Sequence, residues 1–139
     1  MTELEIKKRL IALVIERLQA QMAGLEEGRS RAQADAREHM NEYGSMYDNA
    51  KETANALQAG YVKQMQKISG VLTMMRQLPL KKCAEIEPGC VVVAMQGAFF
   101  ISTGLIEKSL EVDGTRYDCV NINAPIVQKL RQGGWKRIF

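Results

Sequence analysis

The first 78 residues of the chain have a helical hydrophobic pattern and contain no proline. One apolar row recurs every seven residues, at Leu4, Ile11, Leu18, Leu25 and Ala32. A later series has two rows offset by three residues: Tyr47, Ala54, Tyr61, Ile68 and Met75, and then Ala50, Leu57, Gln64, Val71 and Leu78. Two rows with this offset place one apolar seam along a helix, as a coiled coil requires. Gln64 is the polar exception, and we expect it to fix the register.

The two series are separated by a segment that favours a helix stop. Asn41 and Gly44 are residues that end helices, and Ser45 followed by Asp48 has the form of a capping box. The pattern therefore predicts two long helices, about 3–42 and 46–77, joined by a tight turn. Residues 1–78 form an antiparallel coiled-coil hairpin in this interpretation.

The composition changes at Pro79. A linker, 79–87, is followed by short β-type runs at 90–95, 98–103, 106–112 and 115–120, with Asp113-Gly114 as a hairpin turn. Residues 124–130 have helical spacing, with Pro125 in the first turn. The fold class is α+β, with a small β-rich domain at 88–139. Residues 133–139 are too short to assign from their pattern, and they are interpreted either as a replacement strand or as the product of an altered reading frame.

Composition and charge narrow the class of protein. Of the 139 residues, 46% are hydrophobic and 25% are charged, which excludes a disordered tail. No apolar run approaches the roughly 20 residues that cross a bilayer. We expect no signal peptide, and a cytoplasmic location without membrane contact. Cys83, Cys90 and Cys119 form no CxxC motif and cannot all pair, and His39 is the one histidine, so a disulfide scaffold and a structural zinc site are disfavoured.

The cysteines and the acidic residues are the remaining candidates for chemistry. We expect Cys90 and Cys119 to be small buried hydrophobes in strands, and Cys83 to be exposed in the linker. No phosphate-binding loop and no catalytic triad is present, so we expect the protein not to be an enzyme. An acidic segment, residues 35–52, has five acids against two bases and lies at the predicted turn. It is interpreted either as a solvated hairpin tip or as a partial Mg²⁺ site.

Several motifs resemble the bacterial Gre transcription elongation factors (GreA/GreB). Ala36-Arg37-Glu38-His39 is similar to the segment before the Gre tip, and Tyr47-Asp48-Asn49-Ala50 resembles the segment after it. Pro88-Gly89-Cys90-Val91-Val92-Val93 is similar to the first strand of the FKBP-like Gre C-terminal domain. Asn123-Ala124-Pro125-Ile126-Val127-Gln128-Lys129-Leu130 is similar to that domain's helix.

This resemblance implies a function. Gre factors insert their coiled coil into the secondary channel of RNA polymerase, and two tip carboxylates in the pattern Asp-x-x-Glu help to hold a second Mg²⁺, so that the polymerase cleaves its backtracked RNA. The implied partner is RNA polymerase, with nascent RNA and DNA reached only indirectly and no small-molecule substrate. No cofactor is bound stably, and Mg²⁺ is shared with the polymerase. The implied partner-binding residues are Tyr47, Asn49, Pro125 and Ile126.

The tip departs from the family pattern. If Tyr47–Ala50 is the anchor of the comparison, the Glu position falls on Asp48, which is the implied metal ligand, and the Asp position falls on Ser45. If residues 36–39 are the anchor, the two positions fall on Asn41 and Gly44, and both carboxylates are lost. Glu42 substitutes only if the turn brings it toward Asp48. The resemblance therefore implies weakened transcript cleavage.

The end of the β-domain departs as well, because the family continues into two closing strands beyond Leu130. The domain is therefore expected to be incomplete. Two other hypotheses remain open: a coiled-coil scaffold protein that never contacts the polymerase, and, more weakly, a prolyl isomerase.

Overall fold

The computed structural model describes the backbone at residues 1–42, 47–102 and 108–139. Within these ranges, side chains are described except at 36–42, 47–51 and 54. In element order, the chain has two long helices, four strands, a short helix and a fifth strand. The expected α+β class is confirmed.

The two long helices have nearly the predicted bounds. Helix α1 runs over Glu3–Glu42 and helix α2 over Tyr47–Gln77. Thr2 caps α1, because its hydroxyl accepts a hydrogen bond from the Glu5 backbone N–H at 3.2 Å and donates one to Glu5 Oε1 at 3.1 Å. The first of these bonds satisfies one of the backbone N–H groups that the first helical turn leaves without a partner.

Contacts divide the chain into two compact units. One unit contains residues 1–17 and 71–139, and the other contains residues 18–70. Within the second unit, the Tyr61 ring of α2 lies against Gly28 of α1. A Cβ atom built on Gly28 would come within 3.1 Å of the Tyr61 Cε1 and hydroxyl oxygen. The absence of a side chain at Gly28 is what lets the ring approach the helix backbone.

Burial along α2 corrects one of the predicted rows. Tyr61, Ile68 and Met75 are half-buried or buried, as the first row requires. In the second row, Leu57 and Gln64 are exposed, and Val71 and Leu78 are half-buried. Leu72, next to Val71, is buried, and Met65, next to Gln64, is half-buried. Because a helix has 3.6 residues per turn, rows offset by three and by four residues give similar sequence patterns. Gln64 is exposed, so the register-fixing role expected of it at a buried seam has no structural basis.

A five-stranded mixed sheet occupies the unit that contains residues 71–139. Its strands are β1 (Val91–Ala94), β2 (Gly97–Ser102), β3 (Ser109–Val112), β4 (Thr115–Asn121) and β5 (Trp135–Ile138). Their order across the sheet is β3-β4-β2-β1-β5, with β2 and β4 parallel and the other neighbours antiparallel. Asp113 and Gly114 both have positive φ, at 53° and 76°, as the tight turn between β3 and β4 requires.

The C-terminal residues supply one edge strand of this sheet. Strand β5 pairs with β1 along an edge, and Phe139 exchanges two backbone hydrogen bonds with Val91, at 2.8 and 3.0 Å. The Phe139 side chain is fully buried.

One face of the sheet packs on the short helix α3 (Pro125–Arg131). Val127 and Leu130 of α3 are buried in this core. They share a cluster with both cysteines of the 79–90 segment and with residues of β1 and β2: Cys83, Cys90, Val92, Ala94, Phe99 and Ile101. Val91 and Phe100, which alternate with these residues along the strands, are also fully buried. Both faces of the central strands are therefore covered.

Candidate functional site

The residues that the sequence assigned to the tip lie largely outside the described part of the structure. Glu42 is the last residue of α1 and Tyr47 is the first residue of α2, so four residues separate the helices. Asp48 and Asn49 fall in the first turn of α2. The side chains of these residues, and Ser45 as a whole, are outside the described residues, so the metal-ligand role predicted for Asp48 stays a prediction.

The backbone at this point has a consequence for charge. A helix N-terminus carries a partial positive charge of about half an elementary charge, which stabilises an acidic residue in the first turn. Asp48 occupies such a position at the start of α2.

The described acidic side chains near this end of the helices are exposed or paired. Asp35 and Glu52, the described acids of the 35–52 segment, are exposed. On the α1 side, Arg31 pairs with Glu27 and Arg29 approaches Glu26 at 3.9 Å.

The two partner-binding residues predicted in the β-rich part are described in full. Pro125 is the first residue of α3 and is exposed. Ile126 is half-buried and packs against the core cluster. Only Pro125 presents its side chain freely to a partner.

A second group of residues, which the sequence did not predict, surrounds the start of α1. Cys83 and Cys90 form a disulfide with their Cα atoms 5.9 Å apart. The Lys7 Nζ donates a hydrogen bond to the Lys81 carbonyl oxygen at 2.5 Å and approaches the Cys83 Sγ at 3.3 Å. We call these three residues, Lys7, Cys83 and Cys90, the lysine–cysteine cluster.

Lys7 is the unusual member of this cluster because it is only 1% exposed. Burial lowers the pKa of Lys7 below its ordinary value, and the nearby Lys81 acts in the same direction. Glu87 acts against this shift, since its negative charge raises the pKa of Lys7. A buried ammonium group is costly unless it is paired with an anion and hydrogen-bonded. Both acceptors of the Lys7 ammonium group, the Lys81 carbonyl oxygen and the Cys83 disulfide sulfur, are neutral.

The expectations for the cysteines are thus partly wrong. Cys90 is buried as expected, but Cys83 is 8% exposed and belongs to the core, where an exposed linker position was expected. One disulfide is present, although the sequence disfavoured a disulfide scaffold. Cys119 in β4 is half-buried, and desolvation, followed by the neighbouring Asp118, raises the pKa of its thiol to about 11.

A usable signal for the cluster exists in the sequence. Lys7 lies four residues before Ile11 and seven before Val14, on the apolar stripe of α1. A lysine on this stripe is expected to be buried at least along its aliphatic part. Pro88 and Gly89 reverse the chain just before Cys90, and Gly89 adopts a φ of 93°. Such a turn is what brings two cysteines seven positions apart close together.

The same atoms do not suit a metal ion. Ligand atoms of Cys83, Glu87 and Cys90 lie within 4.8 Å of one another. However, the two sulfurs are bonded to each other, and the Lys7 ammonium group lies beside one of them. A cation at this position would meet a like charge, so the residues fit sulfur redox chemistry better than metal binding.

A scan against protein-family models, a search of curated proteins and a search of solved structures all find no match for this chain. Within the described residues, none of the helices combines the length and the apolar character that a membrane span requires.

Proposed function

We propose that this protein is a Gre-like transcription elongation factor that binds RNA polymerase through the secondary channel. It modulates elongation or the cleavage of backtracked transcripts, and it has weakened cleavage activity. The proposal includes a cytoplasmic location, an antiparallel hairpin of α1 and α2, an FKBP-like β-domain, and Mg²⁺ held jointly with the polymerase. The protein itself is an accessory factor, because the polymerase active site performs any RNA cleavage.

The observation that carries the proposal is the position of the acidic segment on the helices. Residues 35–52 span the end of α1 and the start of α2, with four residues between the helices. At 1.5 Å per residue, α1 is roughly 60 Å long and α2 roughly 46 Å long. Helices of this length are able to carry acidic groups deep into a channel. The contact of Tyr61 with Gly28 is what an antiparallel pairing of the two helices predicts.

The β-rich part supports the proposal in a second way. The motif Pro88–Val93 leads into β1, and the motif Asn123–Leu130 forms most of α3. Exposed Pro125 at the start of α3 is available for contact with the rim of the channel. The resemblance assigns both motifs to the domain that docks there.

Weak cleavage follows from the chemistry of the tip residues. Asp48 supplies one carboxylate, and Ser45 supplies a neutral hydroxyl where the family has a second carboxylate. Aspartate is also one methylene shorter than the glutamate of the family. Because a misplacement of about 1 Å costs about a hundredfold in rate, we expect the bound protein to act more as a competitor for the channel than as a cleavage factor.

The alternative function is a scaffold that self-associates and does not bind polymerase. It is favoured by exposed apolar side chains on α2, namely Leu57 at 50% and Val62 at 36% exposure. These are the apolar positions through which α2 would contact a second copy in that hypothesis.

Association with purified core RNA polymerase tests the proposal against the alternative. The unmodified protein is compared with a tip variant in which Tyr47, Asp48 and Asn49 are replaced by alanine. Residues 43–46 are unchanged in this variant. We expect the full chain to bind and the tip variant to bind at least tenfold more weakly. A Leu57→Gln variant is the matched control, because it alters an exposed α2 side chain outside the tip. If neither chain binds polymerase and Leu57→Gln abolishes self-association, the scaffold alternative replaces the proposal.

Transcript cleavage in a backtracked elongation complex tests the tip chemistry. The unmodified protein is compared with the Ser45→Asp, Asp48→Glu double variant at the same concentration of Mg²⁺. We expect slow cleavage with the unmodified protein and a clear gain with the double variant. Fast cleavage by the unmodified protein, with no gain in the variant, would show that the tip residues are misassigned.

A further inference from the structure

We propose that Cys83 and Cys90 form a reversible dithiol–disulfide pair that exchanges with a small-molecule thiol–disulfide couple, and that Lys7 is the positioning residue beside Cys83. This inference does not rest on the proposed function, because it concerns only the lysine–cysteine cluster. It assigns a redox site to a segment with neither helix nor strand, between α2 and β1.

The cluster provides hydrogen-bond partners for the reduced form of Cys90 as well as for the disulfide. The Cys90 Sγ lies 3.1 Å from the Glu85 carbonyl oxygen. A disulfide sulfur has no proton to donate, so this approach becomes a hydrogen bond only when Cys90 is a thiol. The Glu87 backbone N–H points to the same sulfur at 3.3 Å and stabilises negative charge on it.

Lys7 is complementary in charge to a Cys83 thiolate. The Lys7 Nζ lies 3.3 Å from the Cys83 Sγ, and both residues are buried. Reduction places an anion beside a buried ammonium group that otherwise has neutral acceptors. An opposite charge at this distance lowers the pKa of a thiol, and the thiolate is the reactive form of cysteine. Cys119 provides the contrast, since its raised pKa of about 11 keeps it protonated.

Exchange proceeds by two thiolate attacks in turn. A small-molecule thiolate attacks the Cys83 sulfur, which belongs to the more exposed residue of the pair, and the bond to Cys90 breaks. Cys90 leaves as a thiolate, takes up one proton from solution, and as a thiol donates a hydrogen bond to the Glu85 carbonyl oxygen. A second small-molecule thiolate then attacks the small-molecule sulfur of the mixed disulfide. The bond to Cys83 breaks, and Cys83 is released as a thiolate beside Lys7.

The balance is two small-molecule thiols oxidised to one disulfide and one protein disulfide reduced to two sulfur groups. Two electrons pass to the protein. One of the two protons is found on Cys90, and the other stays in solution while Cys83 remains a thiolate. Oxidation of the protein runs through the same steps in reverse.

The first experiment measures reversibility. The full chain with the Cys119→Ala change is equilibrated in buffers with different ratios of reduced to oxidised glutathione. It is then quenched with acid, alkylated and weighed by mass spectrometry. We expect the number of alkylated cysteines per chain to change from none to two in one transition. The midpoint should fall at the same ratio of reduced to oxidised glutathione whether the protein starts oxidised or reduced. A pair that stays disulfide-bonded at every ratio is a permanent cross-link and overturns the proposal, and so does a pair that never oxidises.

The second experiment tests the role of Lys7. The rate of Cys83 alkylation in the reduced protein is measured against pH for Lys7→Gln, Lys7→Arg and the matched control Lys8→Gln, whose side chain is exposed. We expect the midpoint to rise by about one pH unit in Lys7→Gln, which is about a tenfold change in the acid dissociation constant. Lys7→Arg and Lys8→Gln are expected to keep the original midpoint.

A second variant guards against a folding defect in Lys7→Gln. Glu87 is exposed, and its carboxylate lies within 4.8 Å of both sulfurs. Glu87→Gln removes a like charge, so we expect the Cys83 midpoint to fall. Equal midpoints in the unmodified protein, Lys7→Gln and Glu87→Gln would overturn the assignment of Lys7.

Discussion

Replacing Gly28 with alanine tests whether α1 and α2 lie side by side where the structure places them. A Cβ atom at this position would lie 3.1 Å from Cε1 and from the hydroxyl oxygen of Tyr61, and 3.2 Å from Cζ. These separations are shorter than ordinary van der Waals contact between carbon atoms, at about 3.5–4.0 Å. The Tyr61 ring must therefore move away when alanine is introduced.

The magnitude follows from two opposing effects. Glycine inside a helix is less favourable than alanine by about 1 kcal/mol. At Gly24, where nothing lies within 4 Å of the added Cβ, we expect this full gain. At Gly28, overpacking costs about 1–3 kcal/mol, so the substitution is expected to be neutral or destabilising by up to about 2 kcal/mol. In a Tyr61→Ala background the clash is gone, and Gly28→Ala is expected to stabilise by about 1 kcal/mol.

Urea denaturation followed by far-ultraviolet circular dichroism measures these free energies of unfolding. The coupling between Gly28→Ala and Tyr61→Ala is expected to be at least about 1 kcal/mol. Gly24→Ala in both backgrounds is the matched control and should show no coupling. If Gly28→Ala stabilises the protein with Tyr61 intact as much as Gly24→Ala does, the ring does not lie against this glycine, and the pairing of the two helices is wrong.

Three further predictions concern the unit that contains the sheet. Leu130→Ala, at a position 1% exposed in the core cluster, is expected to lower the free energy of unfolding by about 2–5 kcal/mol in urea titrations; a loss below about 1 kcal/mol would contradict the packing of α3. The Cys83–Cys90 bridge closes a loop of eight residues, since the two cysteines are seven positions apart. Its reduction is expected to lower the free energy of unfolding by about 2.5 kcal/mol, by the chain-entropy relation. Melting curves with and without a phosphine reductant measure this, and the Cys83→Ala, Cys90→Ala double variant should not respond. Burial raises the pKa of Cys119 in the folded protein to about 11, from an ordinary value of 9.0. The native state therefore retains a proton that the unfolded chain loses, and the free energy of unfolding is expected to fall as pH rises from about 9 to about 11. Cys119→Ala should flatten this decline in urea titrations, and an unchanged decline would contradict the burial of the thiol.

The sequence predicted the local elements well because their signals are local. The bounds of α1 and α2, the turn at Asp113-Gly114 and the start of α3 at Pro125 each depend on a few neighbouring residues. In the second row on α2, apolar residues stand at both Val71 and Leu72. The structure buries Leu72 and leaves Val71 half-buried, a difference that depends on the packing of the folded chain.

The lysine–cysteine cluster and strand β5 depend on residues far apart in the chain. Lys7 meets Cys83 across a separation of 76 residues, and Phe139 pairs with Val91 across nearly 50. The apolar stripe of α1 indicates that Lys7 is buried, and the turn at Pro88-Gly89 indicates that the two cysteines are close. Neither signal indicates that Lys7 meets Cys83 or that Phe139 pairs with Val91. The tip residues are a different case: Ser45 and the Asp48 side chain lie outside the described residues, so their roles stay predictions based on the resemblance.

Site-specific photo-cross-linking tests the central claim, that the end of the α1–α2 hairpin enters the secondary channel of RNA polymerase. A photoreactive amino acid replaces Asn49, in the first turn of α2, in the full chain bound to an elongation complex. A second version carries it at exposed Glu111 of β3 as a control. The account predicts cross-links from position 49 to polymerase residues that line the channel, and none inside the channel from position 111. Cross-links from position 49 confined to the outer surface of the polymerase, or a lack of cross-links from either position, would contradict it.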